Sequence, residues 1–389
     1  MPLKGEGRAI VSYGLFAMTL THSLTHVFQR IHLALFPVIR EEFKLSIQQL
    51  GVVASIPPLC QALLTVPAGL LSDRFGSKGV ILLSLSAAAA GSLLASRSWS
   101  PLMLIMAVSL AYVNTSLYHP AAYSFTTSIF DPRDRPKALG IHGAGGTLGI
   151  AIGPLSVGLL MGLLSLDWRG IYLFWFFPLL IGIILLIPLK GEIEIEEEEV
   201  RIEEGRTIFT LSLLLFLSFL AMRMMGSQMV AAFLTLYLVD VRGLSQTWAS
   251  LIYGFNPLVG LIAAPIGGFL AARFGEKRWL LCVLAISYTS LGLALISPHI
   301  LPFALLYIAY GFFNYLGMAA NSAIMARLSP RGRRGLGFGL YFLPIYIVGA
   351  IAPLLAAKLA SLYGLQMIFP LALTLLALCL LILKLGVKM

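Results

Sequence analysis

His22, His26 and Arg30 follow one another at intervals of four, a spacing that stacks side chains along one face of a helix. All three stand inside an apolar run that begins near Ile10. Ionisable groups gathered on one face of a hydrophobic helix are costly to bury, so they mark a pathway or a binding site. Strong polar residues recur in other apolar segments: Asn114 and His119 in the fourth, Arg223 and Gln228 in the seventh, Asn314 and Asn321 in the tenth. The third, sixth and ninth segments offer nothing stronger than Ser, Thr or Tyr. Two kinds of chemistry follow from these residue types. Guanidinium, amide and imidazole groups can bind an anion, and imidazole can carry a proton near neutral pH. The expected substrate-binding residues are His22, His26, Arg30, Asn114, His119, Arg223, Gln228, Asn314 and Asn321, and the proton-coupling candidates are His26, His119, His22 and His142. His32 stands off the stripe and is given no role.

Arg223 lies near the middle of its segment, too deep to reach the aqueous interface easily. All seventeen acidic residues fall in loops or at helix ends, including Asp73, Asp167 and Asp240. A cavity holding Arg223 and Arg30 is therefore net positive and suited to an anion that supplies the missing charge. Membrane enzyme chemistry is disfavoured, because no intramembrane nucleophile, acid pair or His-Glu-x-x-His spacing is present. Cys60, Cys282 and Cys379 are far apart within apolar segments and imply neither a disulfide nor a metal framework. No metal and no cofactor is expected.

What must position these residues is a membrane-embedded helical scaffold. The chain has 389 residues, of which 59% are hydrophobic and 11% charged, with a mean hydropathy of +0.91. Apolar runs long enough to cross roughly 30 Å of hydrocarbon, about 20 residues each, recur from end to end. The reading is an all-α integral membrane protein of twelve transmembrane helices, near 10–37, 46–72, 79–96, 101–127, 137–163, 169–189, 207–239, 246–272, 279–297, 300–327, 335–361 and 364–386. The first run is too long for a signal-peptide core and is expected to be retained. Residues 1–189 form one six-helix bundle and 207–389 a second, joined by an acidic cytoplasmic linker, 190–206, that holds the run from Glu192 to Glu199. Nineteen of the 27 Lys and Arg residues fall on the side that carries both termini and five on the other, which places both termini in the cytoplasm. The formal charge of +10 is thus a topological signal and not a nucleic-acid surface.

A compact charged turn, Gly69 to Lys78, separates the second and third segments and returns 199 residues later as Gly268 to Lys277. Arg74 corresponds to Arg273, Gly76 to Gly275 and Lys78 to Lys277, while Ala272 stands where the first copy has Asp73. The same offset relates Leu45 and Ser46 to Leu244 and Ser245, Gln29 to Gln228, Gly140 to Gly339, and Pro154 to Pro353. Both Ser46 and Ser245 are expected to cap helices. A constant offset over so many positions predicts two pseudo-symmetric halves.

Gly69, Asp73, Arg74, Gly76 and Lys78 resemble the signature between the second and third helices of the major facilitator superfamily (MFS). The resemblance extends over the whole chain and implies a fold of two bundles around a central cavity. Gly69, Asp73, Arg74, Gly76, Lys78, Arg273 and Gly275 would then form a gating motif, with Asp73 acting as a cytoplasmic latch. Gly140, Gly149, Gly153, Pro154 and Gly158 are similar to the superfamily's antiporter signature, with Val157 in place of its penultimate glycine. That motif implies exporters exchanging a drug for a proton. Tyr118, His119 and Pro120, with Gly143 to Gly146, resemble the fosmidomycin-resistance branch, whose antibiotic is an anionic phosphonate. An arginine in each of the first and seventh helices with His142 in the fifth is loosely similar to the organophosphate antiporters. The arginine that drug antiporters place in the fourth helix is absent, and Asn114 or His119 stands there. The resulting expectation is a monomeric secondary transporter of the cytoplasmic membrane, exporting a small organic anion or amphipathic compound by proton antiport. The alternative is uptake or exchange of organic anions without protons.

Overall fold

The computed structural model describes residues 6–130, 134–189, 210–328 and 334–387, with backbone alone for 6–12, 65–66, 69–70, 72–73, 127–128, 136 and 334–345. The acidic linker therefore lies outside the described residues, and Gly69 and Asp73 are described in backbone only. All the described secondary structure is helical.

In chain order the helices are α1 (Glu6–Ala34), α2 (Phe36–Phe43), α3 (Ile47–Phe75), α4 (Ser77–Ser96), α5 (Pro101–Ser128), α6 (Arg135–Leu164), α7 (Trp168–Leu186) and α8 (Leu211–Asp240). They continue as α9 (Gln246–Leu258), α10 (Gly260–Phe274), α11 (Glu276–Ile296), α12 (Ile300–Leu316), α13 (Met318–Leu328), α14 (Arg334–Tyr363) and α15 (Ile368–Leu381). Eleven segments among the described residues are long and apolar enough to cross a membrane, with α9 and α10 sharing one, Gln246–Phe274, and α12 and α13 another, Ile300–Leu328. The remaining long helix is α1, whose His22, His26, Gln29, Arg30 and His32 lower its hydropathy. The twelve expected segments are therefore all helical. The breaks inside two of them have local causes. Pro257 removes a backbone donor just before Val259, and at Gly317 the amide turns back to Asn314 O at 3.2 Å.

The repeated turn folds the same way twice. Gly76 (φ 74°) links α3 to α4 and Gly275 (φ 84°) links α10 to α11, conformations that only glycine adopts without strain. Arg74 lies over the Phe75 ring and Arg273 over the Phe274 ring, each at 5.6 Å. Lys78 Nζ donates to Ile187 O (2.8 Å) and Leu189 O (2.5 Å), and Lys277 Nζ donates to Lys384 O (3.1 Å) and Val387 O (2.6 Å). Ser46 Oγ accepts from Gln49 N while Gln49 Oε1 accepts from Ser46 N, a capping box opening α3. Ser245 Oγ accepts from Trp248 N at the start of α9.

Two compact units result, Met1–Lys44 with Ile56–Glu197, and Leu45–Ser55 with Glu198–Met389. In the first, α1 packs on α5, α6 and α7, and α4 on α5 and α7. The α1–α6 contact is unusually close. A Cβ added at Gly145, Gly149 or Gly153 would strike the backbone oxygens of Thr19, Ser23 or Val27 respectively, so three glycines spaced by four let two backbones touch. In the second unit, α8 packs on α14 and α15, and α11 on α12. Gly226 lies against Ala372 O and Leu376, and Gly267 against Leu316 O. At the end of the first unit away from Gly76, Arg169 pairs with Glu42 (2.6 Å), donates to Ser98 O, and covers the Trp168 ring at 4.1 Å. That guanidinium, helped by Trp168 and opposed by burial, holds the Glu42 carboxyl below its ordinary range.

Candidate functional site

The face predicted on α1 meets α5. His22 and His26 project toward His119, and the three Nε2 atoms form a nearly equilateral triangle. The sides are 3.1 Å (His26 to His22), 3.2 Å (His26 to His119) and 3.3 Å (His22 to His119). Each ring is held by its other nitrogen. His22 Nδ1 faces His142 O at 2.7 Å, His26 Nδ1 faces Gln29 Oε1 at 2.9 Å, and His119 Nδ1 faces Thr115 O at 2.9 Å. Carbonyl oxygens only accept, so these nitrogens are the donors and the Nε2 atoms carry lone pairs toward one another.

The surroundings leave the rings little freedom. The His142 ring stacks on His22 at 4.2 Å and 13°. Tyr118, wholly buried, hydrogen-bonds Met18 O and exchanges a hydrogen bond with Thr21 Oγ1, which ties α5 to α1 beside the cluster. On α6, a Cβ at Gly146 would lie 2.7 Å from the His22 ring and 3.0 Å from the His26 ring. Gly146 is therefore the position that makes room for both imidazoles.

Among the other expected residues, Asn114 is wholly buried and its Oδ1 faces Thr25 Oγ1 at 3.4 Å. Arg30 is half-buried on α1, and it is Gln29, three residues after His26, that holds the histidine. In the second unit Arg223 is 9% exposed and donates from Nη2 to Asn314 Oδ1 at 2.8 Å, joining α8 to α12. Gln228 is half-buried on α8, and Asn321 is buried on α13, beyond the break at Gly317. Within the antiporter motif, Gly149 and Gly153 sit in the α1–α6 contact, Pro154 and Gly158 are buried, and Gly140 has open space around it.

The three-histidine cluster was not readable as a sequence pattern, because His119 stands 93 residues after His26 and comes from another helix. The four-residue step from His22 to His26 was readable; His119 joins it only through docking of α5 on α1. Thr115 carried no chemical signal of its own, and Tyr118 and Gly146 stood out only through the resemblance to the fosmidomycin-resistance branch.

A model of the Major Facilitator Superfamily matches residues 18–298 and 214–388. The chain belongs to that superfamily. It is a multi-pass membrane transporter and not an enzyme. Over 380 residues it is 23% identical to the fosmidomycin resistance protein of Escherichia coli, covering 93% of this chain and 90% of that protein. It is 29% identical over 285 residues to a probable nitrate/nitrite antiporter of Thermus thermophilus, covering 68% of this chain and 60% of that one. Its fold is similar to that of a bacterial homologue of the human lysosomal transporter Spinster in an inward-facing and occupied conformation, with a TM-score of 0.84, 18% identity and 96% of each chain covered.

Proposed function

We propose that this MFS transporter exports a small organic anion from the cell in exchange for protons. The observation that carries the reading is Arg223. It is buried in α8 and bonded to the neutral amide of Asn314, while the sequence places no Asp or Glu in the interior of any membrane-spanning helix. A guanidinium so placed is completed by a charge that arrives with the substrate. In the second unit Arg223 and Asn314 bind the anion, with Gln228 and Asn321 as further contacts; in the first, Arg30 and Asn114 are candidate substrate contacts. His22, His26, His119 and His142 hold the exchanging proton. Phosphonates are the favoured substrate class, in keeping with the relative named for fosmidomycin resistance.

The site works by alternating access of the two bundles, 1–189 and 207–389, linked through 190–206. The protein acts as a monomer in the cytoplasmic membrane with both termini in the cytoplasm, and the Asp73 turn latches the cytoplasmic side. The relative named as a nitrate/nitrite antiporter supports a second reading, exchange of one anion for another without protons.

Replacement of Arg223 tests the proposal. In proteoliposomes, Arg223→Gln should abolish transport of a labelled phosphonate and Arg223→Lys should retain part of it, both at parental yield and monodispersity. Undiminished transport by Arg223→Gln would reduce the arginine to a structural role.

A further inference from the structure

We propose that His22, His26 and His119 form a binding site for a divalent transition-metal ion of the zinc type. Three imidazole nitrogens on a tetrahedral ion with bonds of 2.0–2.1 Å stand about 3.3–3.4 Å apart. The Nε2 atoms here are separated by 3.1, 3.2 and 3.3 Å, close to that spacing before any adjustment of the rings. An ion bonded to all three sits just out of their plane and keeps a fourth position for water or an anion.

The tautomers point the same way. Each Nδ1 is engaged by an oxygen acceptor, His142 O, Gln29 Oε1 or Thr115 O. This is the outer arrangement that turns the remaining nitrogen of a metal-binding histidine toward the ion and raises its basicity. Three lone pairs facing one another at such distances repel unless a cation lies between them. One proton bridges a single pair; a metal ion satisfies all three together. Imidazole donors without thiolate or carboxylate favour zinc, copper, nickel or cobalt over magnesium or calcium.

The site is also walled for rigidity. The His142 ring backs His22, and the missing side chain at Gly146 leaves the space that both α1 rings fill. The three ligands come from two helices tied together by Tyr118, so the site forms on folding of the first unit. Metal occupancy and proton occupancy then exclude each other at the same three nitrogens.

The test is cobalt binding to the full-length detergent-purified protein, produced without a polyhistidine tag. Equilibrium dialysis should give one Co2+ per chain, with the intense visible absorption of a four-coordinate ion, and Zn2+ should displace it. His22→Ala, His26→Ala and His119→Ala should each weaken binding at least about a hundredfold, whereas His299→Ala should not. If an alanine variant fails to fold, X-ray absorption of the parental Co2+ complex decides, with three imidazole nitrogens expected at about 2.0–2.1 Å. Retained affinity in a folded His22→Ala and His119→Ala double variant, a six-oxygen coordination shell, or no binding by the parent would overturn the proposal. None of these readouts involves transport, so they stand apart from its direction and substrate.

Discussion

Lys277 repeats the contact of Lys78 at a distance of 199 residues. Each ammonium closes the last carbonyls of the final helix of its own unit, Ile187 and Leu189 after α7, Lys384 and Val387 after α15. A lysine at a helix C-terminus meets both unsatisfied acceptors and the negative end of the helix dipole. The signature turn is thus a clamp inside each unit, whatever further part it plays in gating. Lys78→Met should lower stability by about 1–2 kcal/mol, and Lys277→Met by a similar amount. The double variant should show the sum, because the two sites share no partner. Thermal unfolding of the purified variants measures this; a double variant no worse than either single one would deny the clamp.

The antiporter motif divides by packing. Gly140→Ala should leave stability near that of the parent, since open space surrounds the position. Gly149→Ala and Gly153→Ala force α1 away from α6 and should cost about 1–3 kcal/mol each, as overpacked cores do. Yields and unfolding midpoints of the three variants check the contrast.

Acidification should reveal the Glu42–Arg169 pair. The carboxyl is depressed in the folded protein, so its contribution is present above the ordinary carboxyl pKa and is lost as pH falls through the lower folded value. Arg169→Gln removes the largest cause of the depression. Its unfolding midpoint should lie below the parent's at neutral pH, and should fall less than the parent's on acidification below about pH 4.5. Parallel curves for the two proteins would show that the pair contributes nothing.

Gly146→Ala tests the backing of the histidines. The added methyl meets His22 and His26 before it meets backbone, so it should displace imidazoles while leaving the helix pair in place. Transport should fall at least about tenfold with a small change in stability, following the sensitivity of a site to misplacement. Gly143→Ala, on the same helix with open space around it, should transport as the parent does.

The fold was legible where hydropathy and repetition write it. Apolar length located the helices, and the 199-residue offset foretold that Gly76 and Gly275, or Ser46 and Ser245, would share a conformation. The helix breaks near Val259 and Gly317 were hidden, because the apolar character runs through both. At the site, the step from His22 to His26 was legible as helix periodicity. Arrival of His119 depends on how α5 docks on α1, a contact that Tyr118 ties through Met18 O and Thr21 Oγ1. The Arg223–Asn314 bond was hidden for the same reason, since Asn314 could be placed on its helix but not aimed.

The central claim is that an inward proton gradient drives an anion outward. Proteoliposomes with an acidic interior should accumulate an external labelled phosphonate above its outside concentration, as protons leaving the lumen draw the anion in. A protonophore should collapse that accumulation, and Arg223→Gln should show none. Transport of equal rate and extent with and without the pH gradient would contradict proton coupling and leave anion exchange in its place.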